Sequence, residues 1–178
     1  MKRRLIIPLF LLIFTLASCK NPVESINDAT GDEVDEEILE LIEEYNGNRE
    51  TTESASVTAT HLIITDEKNE ETVYPLPEDN FFVSIAPYKE RTHPCTNHSL
   101  TGCQGELIEE EVEVYIEDSA GNIIVQDQLK TKANGFIDLW LPRNETFHIT
   151  IKQKRKVAKE TITTFDDSPT CITTMYLS

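Results

Sequence analysis

Two cysteines and two histidines, His93, Cys95, His98 and Cys103, fall within eleven residues of the stretch THPCTNHSLTGCQGEL (residues 92–107). The only other cysteines are Cys19 and Cys171. Such a cluster can do three kinds of chemistry. Cys95 and Cys103 can close a small disulfide loop, worth about 2–3 kcal/mol by loop-closure entropy. A thiol can act as a nucleophile with His93 or His98 as its base, although no neighbouring carboxylate in the sequence is placed to orient either ring. Thiolates with an imidazole can also hold a soft metal ion. Cu(I) is content with two or three sulfurs, whereas Zn(II) takes a closed tetrahedron such as Cys3His.

The rest of the chain offers little competing chemistry. It has no glycine-rich phosphate loop, GxSxG elbow or HExxH helix, and no enzymatic activity is expected. His148 reads as an exposed strand residue, because Phe147, Ile149 and Ile151 take the opposite face. Met175, four residues beyond Cys171, would lie roughly 13 Å away along a strand and could not join it at one ion.

The compartment decides among the three. The chain begins MKRRLIIPLFLLIFTLASCK, with Lys2, Arg3 and Arg4 ahead of an apolar run over residues 5–16. That run is too short to span a bilayer and has the layout of an export signal. Leu16-Ala17-Ser18-Cys19 looks like a bacterial lipobox, so residues 1–18 are expected to be a signal peptide and Cys19 the lipidated first residue of an envelope protein. Several acyl chains would hold it on its membrane. Three cysteines then remain, an odd number, which means one disulfide plus a free thiol or a role shared by all three. Removing the signal leaves 13 basic against 32 acidic residues, a net charge of −19. Such a surface repels nucleic acid, and none is expected as a partner.

The elements that must position these side chains can be read in outline. Residues 19–31 read as a linker from the lipidated cysteine. Residues 32–77 read as a small α+β region. In DEVDEEILELIEEYNGN, Val34, Ile38, Leu41, Ile42 and Tyr45 recur at helical spacing, with acidic residues at the positive end of the dipole and Asn46-Gly47 as the stop. Residues 56–65 and 71–76 read as a hairpin around DEKNE, and Pro75 and Pro77 mark a boundary. Residues 78–178 read as β throughout. FFVSIA, EVEVYIE, NIIVQDQ, FIDLWL, TFHITIK and ITTMYL show alternation or β-branched enrichment, with turns at DSAGN and ANG. The expected fold is mainly β, an antiparallel β-sandwich similar to prealbumin-like or immunoglobulin-like domains. All three mature cysteines then lie at strand ends.

In order and spacing, SIAPYKERTHPCTNHSLTGCQGEL, NGFIDLWLPRN and DDSPTCITTMYL resemble the CueP family of bacterial envelope copper-binding proteins, from about Pro75 to the carboxyl terminus. The resemblance implies a copper-resistance protein that binds copper through Cys95, Cys103 and Cys171. Cu(I) is the expected cargo, with Cu(II) and zinc as alternatives, and His93 and His98 are candidate supporting or substitute ligands. It also implies an envelope partner such as a copper,zinc superoxide dismutase, and a homodimer as a further assembly. The competing expectation is a surface sandwich with a stabilising Cys95–Cys103 disulfide.

Overall fold

A computed structural model describes residues 35–178. The described chain runs α1 (Glu36–Tyr45), β1 (Ser54–Val57), β2 (His61–Thr65), β3 (Glu71–Pro75), β4 (Asn80–Ile85), β5 (His98–Ser99), β6 (Glu111–Asp118), β7 (Ile123–Lys130), β8 (Ile137–Pro142), β9 (Thr146–Gln153), β10 (Lys156–Thr163) and β11 (Cys171–Ile172). It is mainly β, as its alternating segments predict. The proposed signal peptide, Cys19 and the linker lie outside the described residues.

The helix forms where its apolar residues recur at 3.6-residue spacing. Ile38, Ile42 and Tyr45 are buried, the Asp35 side chain accepts the Glu37 N–H at 3.0 Å, and Glu36 and Glu37 occupy the first turn. After it, β1, β2 and β3 form a meander. Residues 56–65 are not one strand, as their composition suggests, but two. The Thr58 hydroxyl accepts the His61 N–H at 3.0 Å and donates to the His61 carbonyl at 3.0 Å. Threonine hydroxyls make this reversal without the usual Gly, Asn or Pro signal. The β2–β3 hairpin lies around Asp66–Glu70 as expected, with Thr65 paired to Glu71.

Two further sheets form the sandwich, one in the order β10-β9-β6-β7 and one in the order β11-β4-β8. Their facing side chains, among them Phe81, Val83, Ile85, Val114, Ile116, Leu139, Phe147 and Ile151, make a continuous core. Among the described strands the pairing is antiparallel except that β11 runs parallel to β4, a direction continued by the bridge between Tyr88 and Tyr176. Of the segment ITTMYL only Ile172 lies in a strand, as the second residue of β11. Beyond it the chain docks on Tyr88, whose N–H donates to the Met175 carbonyl at 3.0 Å and whose carbonyl accepts the Leu177 N–H at 2.8 Å.

The smaller sheet serves two cores. One face of β4 and β8 fills the sandwich. The other presents Phe82 and Trp140 to Ile38, Ile42, Tyr45, Val57, Leu62 and Leu100, the core under the helix and the first sheet. Every residue of β4 is therefore buried. Arg143 joins the parts, donating to the carbonyls of Pro77, Asn80 and Ala59 with its guanidinium over the Phe81 ring. The chemistry described next sits on that second face, at one edge of the N-terminal element.

Candidate metal centre

The cysteine loop is a strand of the first sheet at its middle and a turn at its end. β5 (His98–Ser99) pairs with β1, with Val57 opposite His98. From Ser99 the chain turns at once. Its hydroxyl accepts the Gly102 N–H and its carbonyl the Cys103 N–H, both at 3.0 Å. The far strand is brought in by backbone bonds: the Thr96 carbonyl accepts the N–H groups of Thr170 at 3.0 Å and Cys171 at 3.1 Å. Thr170, fully buried, accepts the His98 N–H at 3.0 Å and donates to the Val57 carbonyl at 2.6 Å. One threonine thus ties β5, β1 and β11 together.

The result is a compact donor cluster. One nitrogen of His93 and the sulfurs of Cys95, Cys103 and Cys171 all lie within 4.8 Å of one another. Cys95 Sγ and Cys103 Sγ are 3.5 Å apart, and all three thiols are free. A tetrahedral ion with metal–sulfur bonds near 2.3 Å needs sulfurs about 3.8 Å apart. The Cys95–Cys103 pair stands within a few tenths of an ångström of that spacing, and the four donor atoms are close enough together to converge on one ion. Ala86 and the fully buried Phe136 form its apolar wall together with the cysteines. His93 packs edge-on to the Phe136 ring at 6.3 Å, and His93 Nε2 is buried without a hydrogen-bond partner among the described residues.

The three sulfurs share their protons unequally. A hydrogen bond from Cys171 lowers the Cys103 pKa strongly against the opposing effect of burial, and the adjacent His98 and His93 rings pull the same way. The same bond to Cys103, with burial and Cys95 beside it, pushes Cys171 up. Burial raises Cys95. Protons are therefore held more tightly on Cys171 and Cys95 than on Cys103, and a soft cation seated on the sulfurs would displace them.

The sequence brought four of its five candidates to one point: Cys95, Cys103, Cys171 and His93. His98 is adjacent but outside that group. It is fully buried, stacked 4.6 Å from Phe136, with Nε2 3.3 Å from Ser84 Oγ. His148 is exposed and pairs with Thr161 instead, and Met175 is buried in the sandwich core. Trp140 packs on Phe82, its ring edge-on at 5.3 Å.

Sequence reasoning missed Ser84, Asp138 and Phe136. In sheet register Cys171 lies opposite Ser84, and Ser84 opposite Asp138, so the three form one row across β11, β4 and β8. The available signal was polarity: one serine in FFVSIA and one aspartate in FIDLWL interrupt strands that are otherwise apolar.

A family model described as periplasmic copper-binding protein CueP matches residues 37–176. That span takes in all of α1 but its first residue, ahead of the motifs that begin near Pro75. A solved structure titled "Crystal Structure of S.CueP" is 39% identical, with a TM-score of 0.74, covering 79% of this chain and 88% of that one. No curated protein matches.

Proposed function

Because this chain belongs to the CueP family of periplasmic copper-binding proteins, we propose that it is an envelope lipoprotein that holds Cu(I) on Cys95, Cys103 and Cys171. The observation that carries the reading is the convergence of three sulfurs from two distant segments on one point, against an apolar wall. A staple between Cys95 and Cys103 would need neither Cys171 nor His93. Thiolates are soft ligands, so Cu(I) is preferred over hard cations despite the acidic surface. Copper left loose outside the cytoplasm generates radicals and displaces other metals, and a tethered thiolate trap protects against both.

Competition for Cu(I) against a chelator of known affinity, under anaerobic reducing conditions, tests the site. Each of Cys95→Ser, Cys103→Ser and Cys171→Ser is expected to weaken binding strongly, and His148→Ala to leave it unchanged. If Cys171→Ser binds as tightly as the parent, the three-sulfur site is wrong. The His93 nitrogen within the cluster also supports a second reading, a Cys3His zinc site. Zinc retained at one equivalent under copper challenge would favour it.

Anchoring follows from Leu16-Ala17-Ser18-Cys19. Fatty-acid label should enter the parent and be lost in Cys19→Ala. Delivery of the ion to a cuproprotein such as a copper,zinc superoxide dismutase is the further step. Loaded protein should activate the metal-free enzyme faster than an equal amount of free buffered Cu(I).

A further inference from the structure

The exit of the helix holds the sulfur loop from outside. α1 ends on Asn46, and Gly47, at φ +76°, turns the chain in the left-handed conformation that favours glycine. The Gly47 N–H then donates to the Leu100 carbonyl at 2.9 Å, and Arg49 Nη2 donates to Gln104 Oε1 at 2.5 Å. Leu100 precedes Cys103 by three residues and Gln104 follows it directly. The loop carrying that sulfur is thus tied to the helix exit on both sides.

Asn46 reaches deeper. Its Nδ2 donates to Asp138 Oδ2, and the other oxygen of Asp138 accepts from Ser84 Oγ at 2.5 Å. Its Oδ1 accepts from Asn134 Nδ2 at 2.5 Å, and Asn134 Oδ1 accepts the Phe136 N–H at 3.1 Å. The Asn134 carbonyl accepts the Gly105 N–H at 2.7 Å. The direction of both side-chain amides is forced from the two ends of this chain. A backbone N–H only donates, so Asn134 must turn its oxygen to Phe136, and a carboxylate only accepts, so Asn46 must turn its nitrogen to Asp138. Between them one amide nitrogen then meets one amide oxygen, and every link is matched.

Docking of the helix does not need these bonds, because Ile38, Ile42 and Tyr45 already bury its apolar face. Asn134 is 2% exposed and the Asp138 side chain 9%. Burying such groups costs free energy that their hydrogen bonds only offset. What the chain adds is position. One end fixes the backbone of Phe136, whose ring walls the sulfurs, and the other fixes Ser84, which pairs with Cys171 across the sheet.

We infer that Asn46 is a positioning residue of the metal centre, and that with Gly47 and Arg49 it makes the end of α1 a clip holding the Cys103 loop and the Phe136 wall in place around the ion. None of the three belongs to the donor group. This rests on the copper reading above and extends the scaffold of the site into the N-terminal element.

Two variants separate positioning from folding. Asn46→Ala removes the middle of the chain, whereas Ile42→Ala weakens the helix through its apolar face alone. Asn46→Ala should lower Cu(I) affinity, read by competition against a chelator, by about tenfold, the scale seen for groups that orient metal ligands. Ile42→Ala should show the larger fall in urea midpoint and keep the parental affinity. In the metal-free protein, amide exchange at Gly105 and Phe136 should quicken in Asn46→Ala relative to the amides of β6, which reads the clip without copper. Should Asn46→Ala not fold, Arg49→Ala removes only an exposed bond and should weaken Cu(I) binding severalfold at an unchanged urea midpoint. Parental affinity in folded Asn46→Ala, or in Arg49→Ala where only that variant folds, would overturn the inference and leave the three-sulfur site intact. Equal losses of affinity in Asn46→Ala and Ile42→Ala would also overturn it, since the clip would then be an ordinary part of the fold. Failure of the parent to bind Cu(I) at one equivalent would instead overturn the copper reading.

Discussion

Gly105 and Gly135 meet backbone to backbone. A Cβ on Gly105 would lie 2.5 Å from the Gly135 carbonyl oxygen, and one on Gly135 would lie 2.7 Å from the Gly105 carbonyl carbon. The Gly105 N–H donates to the Asn134 carbonyl at 2.7 Å. Gly135 also has φ +81°, in the left-handed region that favours glycine. The contact seats the chain leaving Cys103 beside the residue that precedes Phe136, so it joins one ligand to the wall of the site.

Alanine at either position is therefore expected to be costly. Neither can relieve the clash by moving a flexible side chain, and Gly135→Ala adds backbone strain. Each should destabilise the fold by about 2–4 kcal/mol, read as a shift in urea midpoint. The surviving folded fraction of Gly105→Ala should bind Cu(I) more weakly than the parent. An Ala variant with parental stability would show that the two loops do not need this approach.

Cys95 and Cys103 should close a disulfide under mild oxidant, since their sulfurs already stand 3.5 Å apart. The oxidised protein loses two of its three sulfurs and should not compete for Cu(I) until reductant is added. Mass spectrometry of alkylated peptides checks the pairing. Oxidation that links Cys171 to either partner first would contradict the expected order, because Cys171 is buried and the other two are half exposed.

The residues of the cluster were legible because chemistry constrains their type and spacing, but their support was not. A soft-metal site announces itself as Cys and His close in sequence, and Cys171 stood out as the odd sulfur. Ser84 and Asp138 become meaningful only once sheet register sets them side by side, and register is a long-range property. The fold shows the same division. Alternating strands such as Glu111–Asp118 were plain, with Val112, Val114 and Ile116 all buried. The hairpin leading into β10 was not, since Gln153 and Lys156 pair around a Lys154-Arg155 turn with no Gly, Asn or Asp. Lys154 there takes φ 59°, a cost that the long β9–β10 ladder offsets. β5 is two residues long and exists only because β1 offers its edge.

Glu106 should act as a clamp on the approach to the site. Its Oε2 accepts backbone N–H groups from Lys89 at 2.8 Å, Glu90 at 2.9 Å and Arg91 at 3.2 Å, two residues before His93. The bond from Glu90 foremost, with those from Lys89 and Arg91, holds its carboxyl below the usual range. A carboxyl lowered on folding stabilises above its ordinary titration range and loses that contribution as pH falls through the lowered value. Amide exchange at Lys89, Glu90 and Arg91 should therefore rise in acid. Glu106→Ala should show the fast exchange already at neutral pH, with a severalfold loss of Cu(I) affinity. Slow exchange retained in Glu106→Ala would remove the clamp.

Copper loading should release about two protons per ion at neutral pH. The metal-free cluster keeps protons on Cys171, held by its bond to Cys103 and by burial, and on Cys95, held by burial, while Cys103 is already a thiolate. Cu(I) needs all three deprotonated, so two protons must leave. Both are raised above the ordinary thiol range, so protons compete with the ion throughout the neutral range. Apparent affinity should rise by about a hundredfold per pH unit there, the slope of a two-proton exchange. Anaerobic titration in weak buffer with a pH indicator counts the protons directly. Cys171→Ser should lower the count to about one, because its proton no longer belongs to a ligand. Three protons in the parent would mean that Cys103 rests as a thiol, and none would mean that the sulfurs do not hold the ion.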